Sequence, residues 1–126
     1  MDDRTEQNKR LILDYFRQVY GARNPDAVRD FVAEDITQHG KDIPDGVEAM
    51  EKFVRELAGA PSTQREPEFV VADDDLVVIC VAMPQPEPGD PGTSYDYFLF
   101  ETYRVRGGKL AERWPGTNKI APLHIS

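Results

Sequence analysis

The sequence predicts an α+β protein in which three helices precede an antiparallel sheet, and three observations carry that prediction. Apolar residues recur at helical spacing as far as Leu57; they alternate or run continuously after Pro61; glycine- and aspartate-rich turns separate the later runs. With 126 residues, 40% hydrophobic and 30% charged, the chain has the size and composition of one domain, 1–126, enclosing one core.

In the first helix Leu11, Ile12, Tyr15, Phe16, Val19 and Tyr20 share a face, and Gly21 ends it. Asn24 offers a cap to a short second helix with Pro25 at its first position and Ala27, Val28, Phe31 and Val32 on its apolar side. The third helix starts within "PDGVEAMEKFVRELAG". There Asp45 and Glu48 have the spacing of a capping box, Val47, Met50, Phe53, Val54 and Leu57 form the stripe, and Gly59 stops it.

Beyond Pro61, "EFVVADDDLVVICVAM" reads as two strands turning at Asp73 to Asp75, the second apolar on both faces as a central strand is. "SYDYFLFETYRV" and "KLAERW" supply two more, joined by Gly107 and Gly108, which suit the positive φ of a tight hairpin. Between the central strands, "PQPEPGDPG" (84–92) carries four prolines and two glycines, so an extended hairpin loop is expected there. Such a loop serves as a lid, a subunit contact or plain surface.

The net charge of −8 and a pI near 4.7 disfavour nucleic acid and anionic membranes as partners, since both attract basic proteins. "MDDRTEQNKR" has neither the basic start nor the apolar stretch of a secretory signal, and no apolar run approaches the roughly 20 residues that span a bilayer. A cytoplasmic protein is expected. Cys80, the one cysteine, sits in "LVVICVAM" and reads as a small buried hydrophobe; with two histidines it gives no zinc spacing.

Taken together and in order, "DYFRQVY", "FVAEDITQHGKDIPDGVEAMEKF" and "FETYRVRGGKLAERW" resemble the SnoaL-like polyketide cyclase family. That family belongs to the nuclear transport factor 2-like superfamily, with ketosteroid isomerases and limonene epoxide hydrolases. The likeness runs from about Asn8 to about Pro122. It implies a cone-shaped barrel in which a curved antiparallel sheet and three N-terminal helices enclose a hydrophobic pocket. It also implies a homodimer formed through the sheet, a hydrophobic small-molecule ligand, and acid–base chemistry with no metal or organic cofactor.

Such chemistry needs a base whose pKa an apolar pocket moves toward neutrality, and a donor for the developing oxyanion. Strand alternation puts Tyr95, Tyr97, Leu99, Glu101, Tyr103 and Val105 on one face of the long strand, with Asp96, Phe98, Phe100, Thr102 and Arg104 on the other. The resemblance aligns Glu101 with the protonated oxyanion donor of ketosteroid isomerases and Tyr15 with their tyrosine donor. Both residues have a plainer reading, Glu101 as a glutamate paired with Arg113 and Tyr15 as part of the helix stripe.

The carboxylates that relatives use as bases are replaced. "TQHG" offers His39 or Gly40, "WPGTN" offers Pro115 and Asn118, and Arg113 stands where many relatives carry histidine. His39, close in sequence to Asp42 and Asp45, is therefore the expected base, unless it merely bonds the turn before the third helix. Phe16, Tyr97, Arg113, Trp114 and Asn118 are expected to contact the ligand, Arg113 through a carboxylate if the ligand has one. His124 lies in the tail. The predicted activity is isomerisation or cyclisation of a hydrophobic carbonyl compound by proton transfer; the alternatives are a non-catalytic protein binding an apolar ligand and a dimeric interaction module.

Overall fold

Three helices lie against one face of a five-stranded sheet in the computed structural model, which describes residues 3–40, 42–59 and 65–116. Helix α1 (Asp3–Tyr15) buries Ile12 and Tyr15 and then widens into a π-helical turn, Phe16–Gly21, closed by Ala22 N–H donating to Arg17 O at 2.9 Å. Asn24 caps the next turn as expected, its Oδ1 accepting from Asp26 N–H at 3.1 Å. After the short 3-10 turn Pro25–Ala27, α2 (Val28–Phe31) buries Val28 and Phe31.

Helix α3 (Val47–Leu57) buries Val47, Met50 and Val54 as its stripe predicts, but it begins without the expected capping box. The cap position is Gly46, at φ 98°, and it receives no side-chain bond. Asp45 Oδ1 instead accepts from Gln38 N–H at 2.7 Å, because the turn folds back onto the preceding strand.

The strands are β1 (Val32–Gln38), β2 (Phe69–Asp73), β3 (Leu76–Glu87), β4 (Asp90–Arg106) and β5 (Lys109–Trp114), in the order β1-β5-β4-β3-β2. β1 runs parallel to β5, so the sheet is mixed and not wholly antiparallel. The helix and three strands between β1 and β5 supply the long connection that a parallel pair requires. The sheet curves around the helices without closing; its register shifts at Val32/Thr37, Pro86/Glu87 and Arg104/Val105, sites of the kind that bend a sheet.

The segment 84–92 is not an open loop. β3 and β4 stay paired through Pro84↔Asp96 and Pro86↔Ser94 to a tight turn at Pro88–Gly89, where Gly89 has φ 78°. Cys80 O accepts from Glu68 N–H, so the even-numbered positions of β3 point their backbone groups away from β4. Pro84 and Pro86 fall on that side, beyond the last β2 pair, where no strand among the described residues asks for an N–H. The glycine hairpin is as expected, with φ 59° at Gly107 and 76° at Gly108.

The core between helices and sheet is centred on Tyr15, Tyr103, Ile12, Met50, Ile79 and Leu110, all without exposed surface. Each large side chain buried there contributes roughly 1.5–3 kcal/mol of transfer free energy. The outer face is different: Phe69, Val71, Phe98 and Phe100 are about half exposed.

Candidate active site

Alternation along β4 turns Glu101 and Tyr103 toward the helices, together with Ile79 on β3 and Arg113 on β5, which pair with them. Glu101 and Arg113 are two of the three buried polar side chains among the described residues, at 5% and 3% exposure. They meet directly: Arg113 Nη2 donates to Glu101 Oε2 at 2.5 Å, and Tyr103 Oη donates to Glu101 Oε1 at 2.7 Å.

Arg113 also reaches outward. Its Nη1 and Nη2 donate to Asp42 Oδ1 and Oδ2 at 3.2 and 3.0 Å, a two-pronged contact, and Nη1 donates to Gln38 Oε1 at 3.0 Å. Asp42 is 44% exposed, so one guanidinium joins a rim carboxylate to a buried one. Burial works against the Arg113 charge, but Glu101 and the Asp42 bond more than offset it and hold the group above the ordinary arginine range. Among the described residues, no hydrogen-bond partner meets the buried Arg113 Nε or Gln38 Nε2.

Gly40 holds the rim in place. A Cβ there would stand 2.6 Å from Asp42 Oδ1 and 2.6 Å from Pro115 Cγ, so a side chain would push Asp42 away from Arg113. The glycine that offers no chemistry of its own permits the contact that does.

Above Glu101 lies a cluster of aromatic hydroxyls. Tyr15 packs its ring edge-on against Phe16, Tyr20, Phe31 and Tyr103 at centroid separations of 5.4 to 6.1 Å, and its hydroxyl donates to Tyr20 Oη at 3.4 Å. Burial pushes the Tyr15 hydroxyl up to about 12, and burial with the Glu101 charge raises Tyr20 and Tyr103 well above the usual tyrosine value. All three are therefore neutral donors at physiological pH.

The arrangement can hold a negative charge on Glu101 and present hydroxyl donors beside it in an apolar enclosure. Both Glu101 oxygens are acceptors here, so the expected role of Glu101 as a protonated donor does not match the geometry.

His39 is on the other side of the sheet. Ile36 and Gln38 of β1 point inward, so the next position points out, and the His39 side chain is 37% exposed. It stacks on Trp114 at 4.6 Å with rings 7° from parallel, and its Nε2 lies 2.5 Å from Glu112 Oε2. Arg104 completes the outer group, 5.6 Å over the Trp114 ring and 2.9 Å from Glu112 Oε1. The expectation that His39 and Trp114 line the cavity is thus corrected, and strand alternation is the cause.

Of the other expected residues, Phe16 is buried beside Tyr15, and Tyr97 is on the inward face but 43% exposed, where β3 and β4 extend past the helices. Asn118 and His124 lie outside the described residues. Tyr103 and Gln38 were not singled out from sequence. Tyr103 is two residues from Glu101 in a period-2 strand and Gln38 shares the parity of Ile36, so alternation carried a signal for both.

This is the architecture of a nuclear transport factor 2-like protein: a curved sheet backed by three helices, with polar groups gathered on its concave side. The sequence profile of the SnoaL-like domain matches residues 12–113, and the chain belongs to that family. No curated protein sequence matches it.

Among solved structures, a proposed SnoaL-like polyketide cyclase from Jannaschia sp. CCS1 is 19% identical, with a TM-score of 0.68 over 89% of this chain and 87% of that one. An NTF2-like protein of unknown function from Mesorhizobium loti is 20% identical, with a TM-score of 0.67 over 91% and 93%. An LEH-like epoxide hydrolase from M. tuberculosis is 12% identical, with a TM-score of 0.65 over 87% and 81%. These likenesses establish the fold. Among the described residues no helix is long and apolar enough to cross a membrane.

Proposed function

We propose that the chain is a cofactor-free enzyme that moves a proton on an apolar carbonyl compound, with Glu101 as the base. The observation that carries this reading is a carboxylate at 5% exposure beside two buried tyrosines, Tyr15 and Tyr103, and a partly buried third, Tyr20, inside a family fold that hosts small molecules. Glu101 takes a proton from the carbon next to the carbonyl, Tyr15 or Tyr20 donates a hydrogen bond to the enolate oxygen, and the proton returns to a second carbon. Arg113 and Tyr103 orient the carboxylate. His39 stands as the competing base, but its stack on Trp114 and its contact with Glu112 favour Glu101 in the role.

The test is incorporation of solvent deuterium next to the carbonyl of a panel of apolar ketones, followed by NMR. Wild type is expected to exchange at least one ketone and Glu101→Gln to lose it by about a hundredfold or more. Exchange that survives in Glu101→Gln and disappears in His39→Ala would return the role to His39. A wild type that binds ketones without exchange would leave a non-catalytic binding protein.

A second reading draws on the same bridge. The Asp42–Arg113–Glu101 connection places two carboxylates about one guanidinium, an arrangement suited to activating water and protonating a leaving oxygen, and one structural neighbour is named as an epoxide hydrolase. Hydrolysis of an apolar epoxide by wild type would support it.

The half-exposed Phe69, Val71, Phe98 and Phe100 support a homodimer joined through the outer face of the sheet, since contiguous apolar patches mark interfaces.

A further inference from the structure

A surface cavity of about 210 Å³ is walled by Phe16, Arg17, Gly21, Arg65, Glu66 and Pro67. It is smaller than the several hundred Å³ that hold a drug-sized molecule. One of its walls is also the outer wall of the candidate active site: the Phe16 ring lies 5.4 Å from Tyr15, 5.1 Å from Tyr20 and 6.4 Å from Tyr103, and Tyr103 bonds Glu101. Phe16 thus stands between a solvent-facing hollow and the tyrosine rings that adjoin Glu101.

Two further observations bear on how that ring moves. Phe16 is the first residue of the π-helical turn Phe16–Gly21, a less regular segment than the α-helix before it. The strap facing it, 65–67, is held by ion pairs at its exposed side. Arg17 grips Glu66 with Nε and Nη2 at 2.6 to 3.2 Å, and Arg65 Nη2 donates to Asp96 Oδ1 at 2.7 Å, tying the strap to both the π turn and β4. Each partner is about half exposed or more, so the pairs are weak enough to open thermally and salt screens them.

We infer that the hollow is the antechamber of the active site, that Phe16 is its inner door, and that the Arg17–Glu66 pair is the latch. When the pair opens, the strap lifts, Phe16 rotates into the hollow, and an uncharged apolar molecule reaches Tyr15, Tyr103 and Glu101. The inference rests on reading that cluster as the ligand site. It adds the route in and a preference among ligands: passage past the apolar Phe16 ring favours neutral molecules, because a charged one would have to shed its water there.

The experiment reads access and does not depend on turnover. N-acetylimidazole, a small neutral reagent that acetylates tyrosine hydroxyls, is applied to the native full chain, and each tyrosine is followed by peptide mass spectrometry. Tyr15 and Tyr103, which have no exposed surface, report the door; Tyr95 and Tyr97, at 40% and 43%, report reagent strength. Glu66→Gln and Arg17→Gln are expected to speed acetylation of Tyr15 and Tyr103 by about threefold, the effect of losing one exposed pair. Added salt should do the same in wild type, Phe16→Trp should slow it, and the Glu66 and Arg17 variants should lose no more unfolding free energy in urea than that threefold change corresponds to.

Unchanged Tyr15 and Tyr103 rates in both latch variants would overturn the inference, and so would rates that climb steeply with sub-denaturing urea, the mark of global unfolding in place of a local door. If no ketone exchanges deuterium yet the latch variants speed acetylation, the door stands and the proposed chemistry falls.

Discussion

Glu101 and Arg113 meet at 2.5 Å with only 6% and 4% of their side chains exposed. Two opposite charges that would each be costly alone are made tolerable by one another, by Tyr103 and by Asp42. Such a pair adds little net stability compared with a well-packed apolar substitute, but removal of one partner strands a buried charge. Arg113→Gln is therefore expected to lower the unfolding free energy in urea by about 3–5 kcal/mol. Arg113→Met combined with Glu101→Leu should cost much less. If the single variant lost under about 0.5 kcal/mol, the pair would not be a structural element of the core.

Tyr15, Tyr20 and Tyr103 together predict an alkaline limit. Tyr15 titrates at about 12 in the folded chain against 10.0 when unfolded, with burial the leading cause. Its folded pKa is raised, so its contribution is fully present below pH 10 and is lost as pH rises toward 12. The span corresponds to the order of 2–3 kcal/mol for this one residue. Tyrosinate absorbance should show three of the five tyrosines ionising together with the loss of far-ultraviolet helix signal. Five independent, reversible titrations with the fold intact would contradict this.

On the outer face, His39→Ala should leave deuterium exchange near wild type but change the emission of Trp114, the only tryptophan, by removing its stacked ring. Glu112, bonded by His39 and then by Arg104, has its pKa lowered from 4.5. A lowered folded pKa means that this stabilisation is present above the unfolded value and disappears as pH falls through the folded one. Wild type should therefore lose stability below about pH 4.5 faster than Glu112→Gln does. Parallel acid denaturation curves would show that the His39 and Arg104 contacts of Glu112 add no stability.

Gly40 offers a test of the rim. Gly40→Ala should weaken the Asp42 contact, because a methyl group there would stand 2.6 Å from the carboxylate. The expected result is a fall in turnover of tenfold or so with a small loss of stability, since a misplaced positioning group costs rate before it costs fold. Unchanged turnover would show that Asp42 is dispensable for the chemistry.

For the outer patch, Phe100→Asp is expected to convert a dimer to a monomer in sedimentation velocity. Phe100 is 46% exposed and lies 6.0 Å from the Phe69 ring, so a charge there would sit inside any contact through this face. A wild type that sediments as a monomer would set the dimer aside.

The helices and hairpins were readable because each carries its own local signal: the stripes of α1 and α3, the Gly107–Gly108 turn, the aspartates before β3. Glu101 was found through the resemblance and its burial through alternation. Non-local geometry was harder to read. Asp45 has the spacing of a cap, yet a tertiary turn gives its carboxylate to Gln38 N–H. The parallel pairing of β1 with β5 joins segments about 70 residues apart and leaves no mark in either. His39 was misplaced because one residue of strand parity separates the concave face from the convex one.

The two prolines of β3 have a consequence beyond their own hairpin. An uncovered strand edge normally invites another chain to add on, and addition can repeat without end. Pro84 and Pro86 remove the donors from that edge of the far half of β3. A strand arriving at that edge finds no N–H at either proline, so growth of the sheet by strand addition is disfavoured there.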